Sequence, residues 1–319
     1  MVVPGISFQI PALGFGCGSL TGTNHRNATR LLHTAFDNGV RHFDVARYYG
    51  YGEAEGILGS FARSRRMQIT ITSKFGLQPP ARTSPLRVLI SVGRRFVRMV
   101  PAARKAVQSR TQFLVSTPPF TAAECKRSLD TSLRELKTDY LDFFLLHDYV
   151  VTDNHHQELI AFLEGAVASG KIKQFGIGTS FKNAVYALQS QPELCRVVQF
   201  ENSVLAPNLR SFPETATSPF IITYGSLGSS YNSLLSFLRA HRETAKSWSE
   251  QVGANCSDEE TLAALILNFA VSANPQGIVL FASKSVERTA RNIQSVLKSQ
   301  FSSEQLDVFA QLVRGILNI

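Results

Sequence analysis

Short apolar runs alternate with amphipathic stretches along almost the whole chain. Strand-like runs fall at ALGFGCG (12–18), VRHFDVA (40–46), QITITSK (68–74), YLDFFLLH (140–147), KQFGIGT (173–179), RVVQFE (196–201), PFIITYG (219–225) and GIVLFAS (277–283). Between them, helical spacing of apolar positions marks NATRLLHTAFDNG, GEAEGILGSFARS, AAECKRSLDTSLRELK, HQELIAFLEGAVASGK, KNAVYALQSQ, NSLLSFLRAHRETAK with SDEETLAALILNFAV, and SVERTARNIQSVLKS. Strands that alternate with helices predict a parallel sheet with helical crossovers, and eight such units are the count of a closed (β/α)8 barrel. Residues 1–319 are therefore read as one TIM-barrel domain, with VVPGISFQIP ahead of the first strand expected to form a small hairpin at the barrel bottom.

Rival architectures fail on spacing. GFGCGS (14–19) carries Ser19 where a dinucleotide fingerprint needs its third glycine, and YGSLG (224–228) carries Tyr224 where a hydrolase elbow needs its first. Adjacent histidines at 155 and 156 project in different directions, so no metal site is expected there.

Composition changes this picture only in places. With 319 residues, 44% apolar and 18% charged, the chain can bury a barrel-sized core. Its longest apolar region is interrupted by Asn268, Asn274, Pro275 and Gln276, so no uninterrupted run of about 20 apolar residues spans a bilayer. Residues 1–20 lack a basic start followed by an apolar run, and Cys17, Cys125, Cys195 and Cys256 form no C-x-x-C pair. A cytoplasmic protein with reduced thiols is expected. The net charge of +9 is concentrated in residues 77–120, where Arg82, Arg87, Arg94, Arg95, Arg98, Arg104, Lys105 and Arg110 stand without an acidic residue. That segment has few aromatic residues for stacking and no nucleic-acid motif, so no nucleic-acid partner is expected.

In a barrel of this kind, the C-terminal strand ends face one shared mouth. Asp44 ends the second strand, Lys74 the third and His147 the fourth, while Tyr49 follows in the loop above Asp44. An acid, a base, an imidazole and a phenol thus converge. NGVRHFDVARYYGYGEAEGILG, which carries two of them, resembles the signature of the aldo-keto reductase superfamily and departs from it at Val45, where threonine is usual. LDTSLRELKTDYLDFFLLHD and SGKIKQFGIGTS resemble later segments of the same family, so the resemblance covers nearly the whole chain. It implies Asp44, Tyr49, Lys74 and His147 as the catalytic tetrad, with the motif spacing selecting Tyr49 over Tyr48.

The residue types suit carbonyl reduction in their own right. A phenol with a pKa near 10 is a reluctant acid at neutral pH. A cation about 4 Å away, at an effective dielectric of about 20, contributes roughly 4 kcal/mol, or about three pKa units at most, so Lys74 is expected to lower the phenol. Asp44 would keep that lysine charged, at some loss of field, and His147 would orient the carbonyl oxygen.

For the hydride source, the resemblance implies a nicotinamide cofactor, with NADP favoured over NAD. It places Tyr224 under the nicotinamide, with Gly225, Ser226, Leu227 and Gly228 along the pyrophosphate. Gln199, Gly178 and Thr179 fall at the carboxamide, and Ser283, Lys284, Arg288 and Asn292 at the adenosine phosphate, although the usual phosphate-binding lysine position is occupied by Ala282. The expected activity is NAD(P)H-dependent interconversion of an aldehyde, ketone or sugar hemiacetal with an alcohol. The alternative is a cofactor-sensing, partner-binding barrel subunit with slow turnover.

One segment exceeds a minimal barrel. Lys74 and His147 are 73 residues apart, so residues 77–120 form an insertion that leaves from the mouth. LRVLISVGRRFVRMVP within it is expected to form a short amphipathic helix ended by Pro101, part of a lid. Its cations would draw in an anionic substrate, contact a membrane surface or acidic partner, or add only solubility.

Overall fold

Eight parallel strands close on themselves in chain order: β1 (Leu13–Gly16), β2 (His42–Asp44), β3 (Thr70–Phe75), β4 (Leu141–His147), β5 (Ile172–Gly178), β6 (Val197–Glu201), β7 (Phe220–Tyr224) and β8 (Ile278–Phe281). This computed structural model describes residues 10–79, 118–151, 156–214 and 218–317. The lid helix expected at 86–101, its Arg94 and Arg95, and most of the expected N-terminal hairpin lie outside the described residues.

Every expected strand run contains an observed strand, and the helices follow in alternation. They are α1 (His25–Asp37), α2 (Glu53–Ala62), α3 (Ala122–Leu136), α4 (His156–Ala168), α5 (Phe181–Ser190), α6 (Ser229–Ala240), α7 (Arg242–Val252), α8 (Glu259–Ala273), α9 (Val286–Leu297) and α10 (Ser303–Leu317). Helix starts follow local chemistry. Asn24, Thr121, Ser180, Asp258 and Ser285 each accept a hydrogen bond from the backbone N–H three residues on, satisfying a donor that the first turn leaves free. Two differences from the sequence reading stand out. The stretch NSLLSFLRAHRETAK is broken at His241 into α6 and α7, and α10 was not anticipated at all. Both belong to a second apolar layer in which Leu234, Trp248, Leu265 and Phe309 pack together outside the barrel.

The barrel interior is divided. One side is apolar, built from Phe143, Leu145, Val197, Ile222, Ile278 and Leu280, with Phe143 and Phe220 stacked at 5.6 Å. The other side, from β2 and β3, buries His42, Thr70 and Thr72, with His42 Nδ1 2.9 Å from Thr70 Oγ1 and Nε2 3.3 Å from Thr72 Oγ1. Those hydroxyls satisfy an imidazole that would otherwise be stranded. Because strand side chains alternate, Asp44 lies on the same inward face as His42, and Lys74 on that of Thr72, one layer nearer the mouth. The polar side of the core therefore leads directly to the site.

Candidate active site

At the top of that polar column, Lys74 Nζ donates to Asp44 Oδ1 at 2.5 Å and to the Val45 carbonyl at 3.3 Å. Both side chains are almost fully buried, at 1% for Lys74 and 3% for Asp44. A lone buried charge here would be strongly disfavoured, so the pair and its hydrogen bonds are mutually necessary. Gln199, reaching across from β6, donates to the second carboxylate oxygen at 2.8 Å.

The loop after β2 carries the phenol. Glu55, a buried carboxylate on α2, accepts from Arg47 at 2.6 Å and from the Ser73 hydroxyl at 2.7 Å, which ties both ends of this loop to β3. Inside the loop Gly50 has φ of 59°, and a Cβ there would come within 2.0 Å of Thr21, so no larger residue fits. Tyr49 is thereby seated with its ring centroid 5.2 Å from Lys74 Nζ and 6.1 Å from the His147 ring. Tyr48 lies against both, at 5.0 Å from Tyr49 and 5.3 Å from His147.

The electrostatics differ from the sequence expectation in one respect. Burial first, and then Asp44, Tyr48, Cys17 and Tyr224, push the Tyr49 phenol well above the ordinary tyrosine range. The net direction is thus opposite to the lowering expected from Lys74. His147 is driven well below the ordinary histidine range by burial and then by Lys74, so its imidazole is neutral. Its Nδ1 is buried without a hydrogen-bond partner, and no described residue bonds to either ring nitrogen. A neutral imidazole with unused hydrogen-bonding capacity and a protonated phenol are two candidate donors to one oxygen.

The opposite wall holds the residues expected to bind cofactor. Tyr224 ends β7 with 38% of its surface exposed, its hydroxyl 3.5 Å from Glu201 Oε2. After it, Gly225 and Gly228 adopt φ of 81° and 66°, and Leu227 packs between the two apolar layers. Ser226 Oγ is buried with no partner, and α6 starts at Gly228 without a side-chain cap. Uncapped N–H groups at a helix start form a cradle for an anion, so this stretch fits the pyrophosphate of a dinucleotide. Thr179 is buried and already engaged, donating to the Tyr149 carbonyl at 2.8 Å and accepting from Asn183. Gly178 lies between His147 and Gln199 in the strand register.

Beyond β8, Ser283 Oγ bridges to the Ser285 backbone, while Lys284 and Arg288 are exposed and Asn292 is half-buried. Asn27 on α1 donates to the Lys284 carbonyl at 3.3 Å, beside an open cavity of about 460 Å³ lined by Thr23, Asn24, Arg26, Asn27 and Arg30. Glu287 is held below the ordinary carboxylate range by the Ser285 hydroxyl and, more weakly, by Arg30 and Arg288, which puts both cations near one spot.

One residue beside the site escaped the sequence reading. Cys17, fully buried at the end of β1, lies close enough to Asp44, Lys74 and Tyr49 for their charges to act on one another. Its signal was only its position after a strand. Gln199, expected at a carboxamide, also braces Asp44, a contact between residues 155 apart in sequence. The four cysteines are free and buried, and among the described residues no cluster of His, Cys, Asp or Glu is placed to hold a metal ion. No described helix is long and apolar enough to cross a membrane.

Known proteins share parts of this sequence and its fold. The chain is 25% identical over 221 residues to a 6-dehydroglucose reductase of Novosphingobium aromaticivorans, covering 63% of this chain and 61% of that protein. It is 28% identical over 192 residues to a D-threo-aldose 1-dehydrogenase of Pseudomonas sp, covering 55% and 52%. The matched part is thus about half to three-fifths of these curated relatives. Among solved structures, a glycerol dehydrogenase of Gluconobacter oxydans superposes with a TM-score of 0.71 over 98% of this chain and 94% of that one, at 16% identity. An aldo-keto reductase of Bacillus halodurans in its holo form superposes at 0.68 over 98% and 95%, at 17% identity. These two likenesses carry the barrel fold. The profile of the Aldo/keto reductase family matches residues 12–314, and the chain belongs to that family.

Proposed function

We propose that this protein is an NAD(P)H-dependent oxidoreductase that interconverts a carbonyl compound and an alcohol. The observation that carries the reading is the buried Asp44–Lys74 pair beneath Tyr49, with the unpartnered His147 imidazole on the same mouth. The bound nicotinamide would supply or accept the hydride. His147 and Tyr49 would hold the carbonyl oxygen with two hydrogen bonds, and Tyr49 would pass its proton to that oxygen as negative charge develops. The third N–H of Lys74, left after Asp44 and Val45, is available to steady the phenol oxygen.

Tyr224 offers an exposed ring face for the nicotinamide, and the Gly225–Gly228 turn with the bare start of α6 would take the pyrophosphate. Arg30, Lys284 and Arg288 around the start of α9 favour NADP over NAD, because only NADP brings an additional phosphate to that end. The reductase and dehydrogenase names of the two curated relatives support a carbonyl–alcohol couple. The test is fluorescence titration with NADPH and NADH, followed by turnover of a panel of aldehydes, ketones and polyols with the tighter cofactor. Absence of binding by either cofactor would overturn the reading, and binding with no turnover would leave a cofactor-sensing barrel in its place.

A further inference from the structure

Outside the strands, a cavity of about 260 Å³ opens between the connection from β6 to β7, α8 and α10. None of Asp44, Tyr49, Lys74 or His147 lines it. Its wall brings together Asn202, Leu209 and Arg210 from the connection, Phe269 from α8, and Leu306 and Asp307 from α10. Phe269 and Leu306 are buried apolar side chains, and Asn202 is buried with 3% of its surface exposed.

The polar groups on this wall are unused. Asn202 Oδ1 accepts from the Leu209 N–H at 3.0 Å, which fixes the amide, because turning it over would set two donors face to face. Its Nδ2 is the end left over, buried and without a hydrogen-bond partner. Arg210 is exposed on the short helical turn Asn208–Ser211, its N–H donating to the Pro207 carbonyl at 3.1 Å, and Asp307 is exposed near the start of α10. Neither side chain makes an ion pair or a hydrogen bond with a described residue, the other of the two included. Surface charges elsewhere on the fold show the contrast: Arg196 meets Glu164, Arg239 meets Glu259 and Arg291 meets Glu260. One cavity with an apolar base thus offers an unpaired cation, an unpaired anion and an unpaired amide donor.

We propose that this cavity binds a small zwitterion of the α-amino acid class, at a site separate from the barrel mouth. Arg210 and the Asn202 amide take the ligand's carboxylate, Asp307 takes its ammonium, and Phe269 with Leu306 covers its apolar side chain. The mixture of groups selects that class. A carboxylic acid alone would meet Asp307 as a like charge, an amine alone would meet Arg210, and an apolar molecule would leave the buried Asn202 amide unpaired. The volume lies below the range of about 300–1,000 Å³ typical of drug-sized ligands, which suits a molecule this small. The site adjoins the proposed cofactor wall without being part of it: the Asn202 N–H donates to the Tyr224 carbonyl at 2.8 Å, and the Asn208 side chain to the Glu201 carbonyl at 2.8 Å.

The experiment is isothermal titration of the protein with three matched probes: leucine, 4-methylpentanoate, which lacks its ammonium, and 3-methylbutylamine, which lacks its carboxylate. Leucine should bind with a Kd of about 1 mM, as expected for a ligand of this size, and the other two about tenfold more weakly. Arg210→Ala should reduce leucine to the level of the amine, and Asp307→Ala should reduce it to the level of the acid. Both positions are exposed, so thermal unfolding should show the variants folded. Saturating NADPH should leave leucine bound. Absence of leucine binding, an acid or amine that binds as tightly as leucine, or leucine binding unchanged by either substitution would overturn the proposal. Displacement of leucine by NADPH would overturn it too, by placing the ligand in the mouth. None of these outcomes bears on the oxidoreductase reading, which the cofactor titration tests by itself.

Discussion

On the β2–β4 wall of the mouth, Lys74 and Asp44 are buried and joined at 2.5 Å, whereas on the β7–β8 wall Tyr224 keeps 38% exposure and Lys284 and Arg288 are exposed. The catalytic wall is braced from within: Gln199 holds Asp44, and Glu55 holds the Tyr49 loop through Arg47 and Ser73. The cofactor wall has an unpartnered Ser226 hydroxyl and a bare helix start instead. The difference follows from what each would do. Groups that must meet a developing charge work best when fixed beforehand, while groups that hold a large, departing cofactor must present unused donors to it.

Substitutions on the two walls should therefore behave differently. Tyr49→Phe is expected to lower kcat by about two to four orders of magnitude while NADPH affinity stays within about twofold, as read by steady-state kinetics and fluorescence titration. Tyr48→Phe should do little. A reversal of the two effects would move the proton donor to the neighbouring ring.

Lys74→Met leaves a buried carboxylate with only an amide for company, and denaturant unfolding should show a loss of about 3–5 kcal/mol. The matching change on the other wall, Lys284→Met, should cost no more than about 0.5 kcal/mol, because that ammonium is exposed. Adding Asp44→Asn to Lys74→Met should recover a substantial part of the first loss.

The polar column beneath the catalytic wall also predicts an acid sensitivity. His42 is pushed from 6.5 down to about 3 by burial and then by Lys74, so the folded protein refuses a proton that the unfolded chain accepts. Stability should fall as pH drops from 6.5 towards 3, with His42 responsible for about 2 kcal/mol of loss by pH 5. His147, shifted the same way, adds to the trend. Urea unfolding at pH 7 and pH 5 should show it, and His42→Gln should make the pH dependence shallower; an unchanged slope would mean that His42 is not neutral in the fold.

The smallest effect belongs to the cofactor wall. Arg288→Ala should weaken NADPH by about tenfold and NADH by at most about twofold, since the guanidinium would face a phosphate present only in the former. Equal losses in isothermal titration would remove the case for NADP.

The alternation of apolar runs and amphipathic stretches was enough to count eight strands and place Asp44, Lys74 and His147 at strand ends, because period and length are local properties of the chain. The resemblance of NGVRHFDVARYYGYGEAEGILG to the family signature implied Tyr49 rather than Tyr48 as the proton donor. What the sequence could not supply were the relations between distant segments. α10 closes an outer layer whose need for a cover arises only once α6–α8 are packed. Gln199 bonding to Asp44 joins β6 to β2 across the barrel, and the raised phenol of Tyr49 reflects the burial and neighbouring charges that this closure creates. Local pattern determines which residues reach the mouth, but burial and pairing, which set charge and hydrogen-bonding capacity, exist only when the barrel is closed.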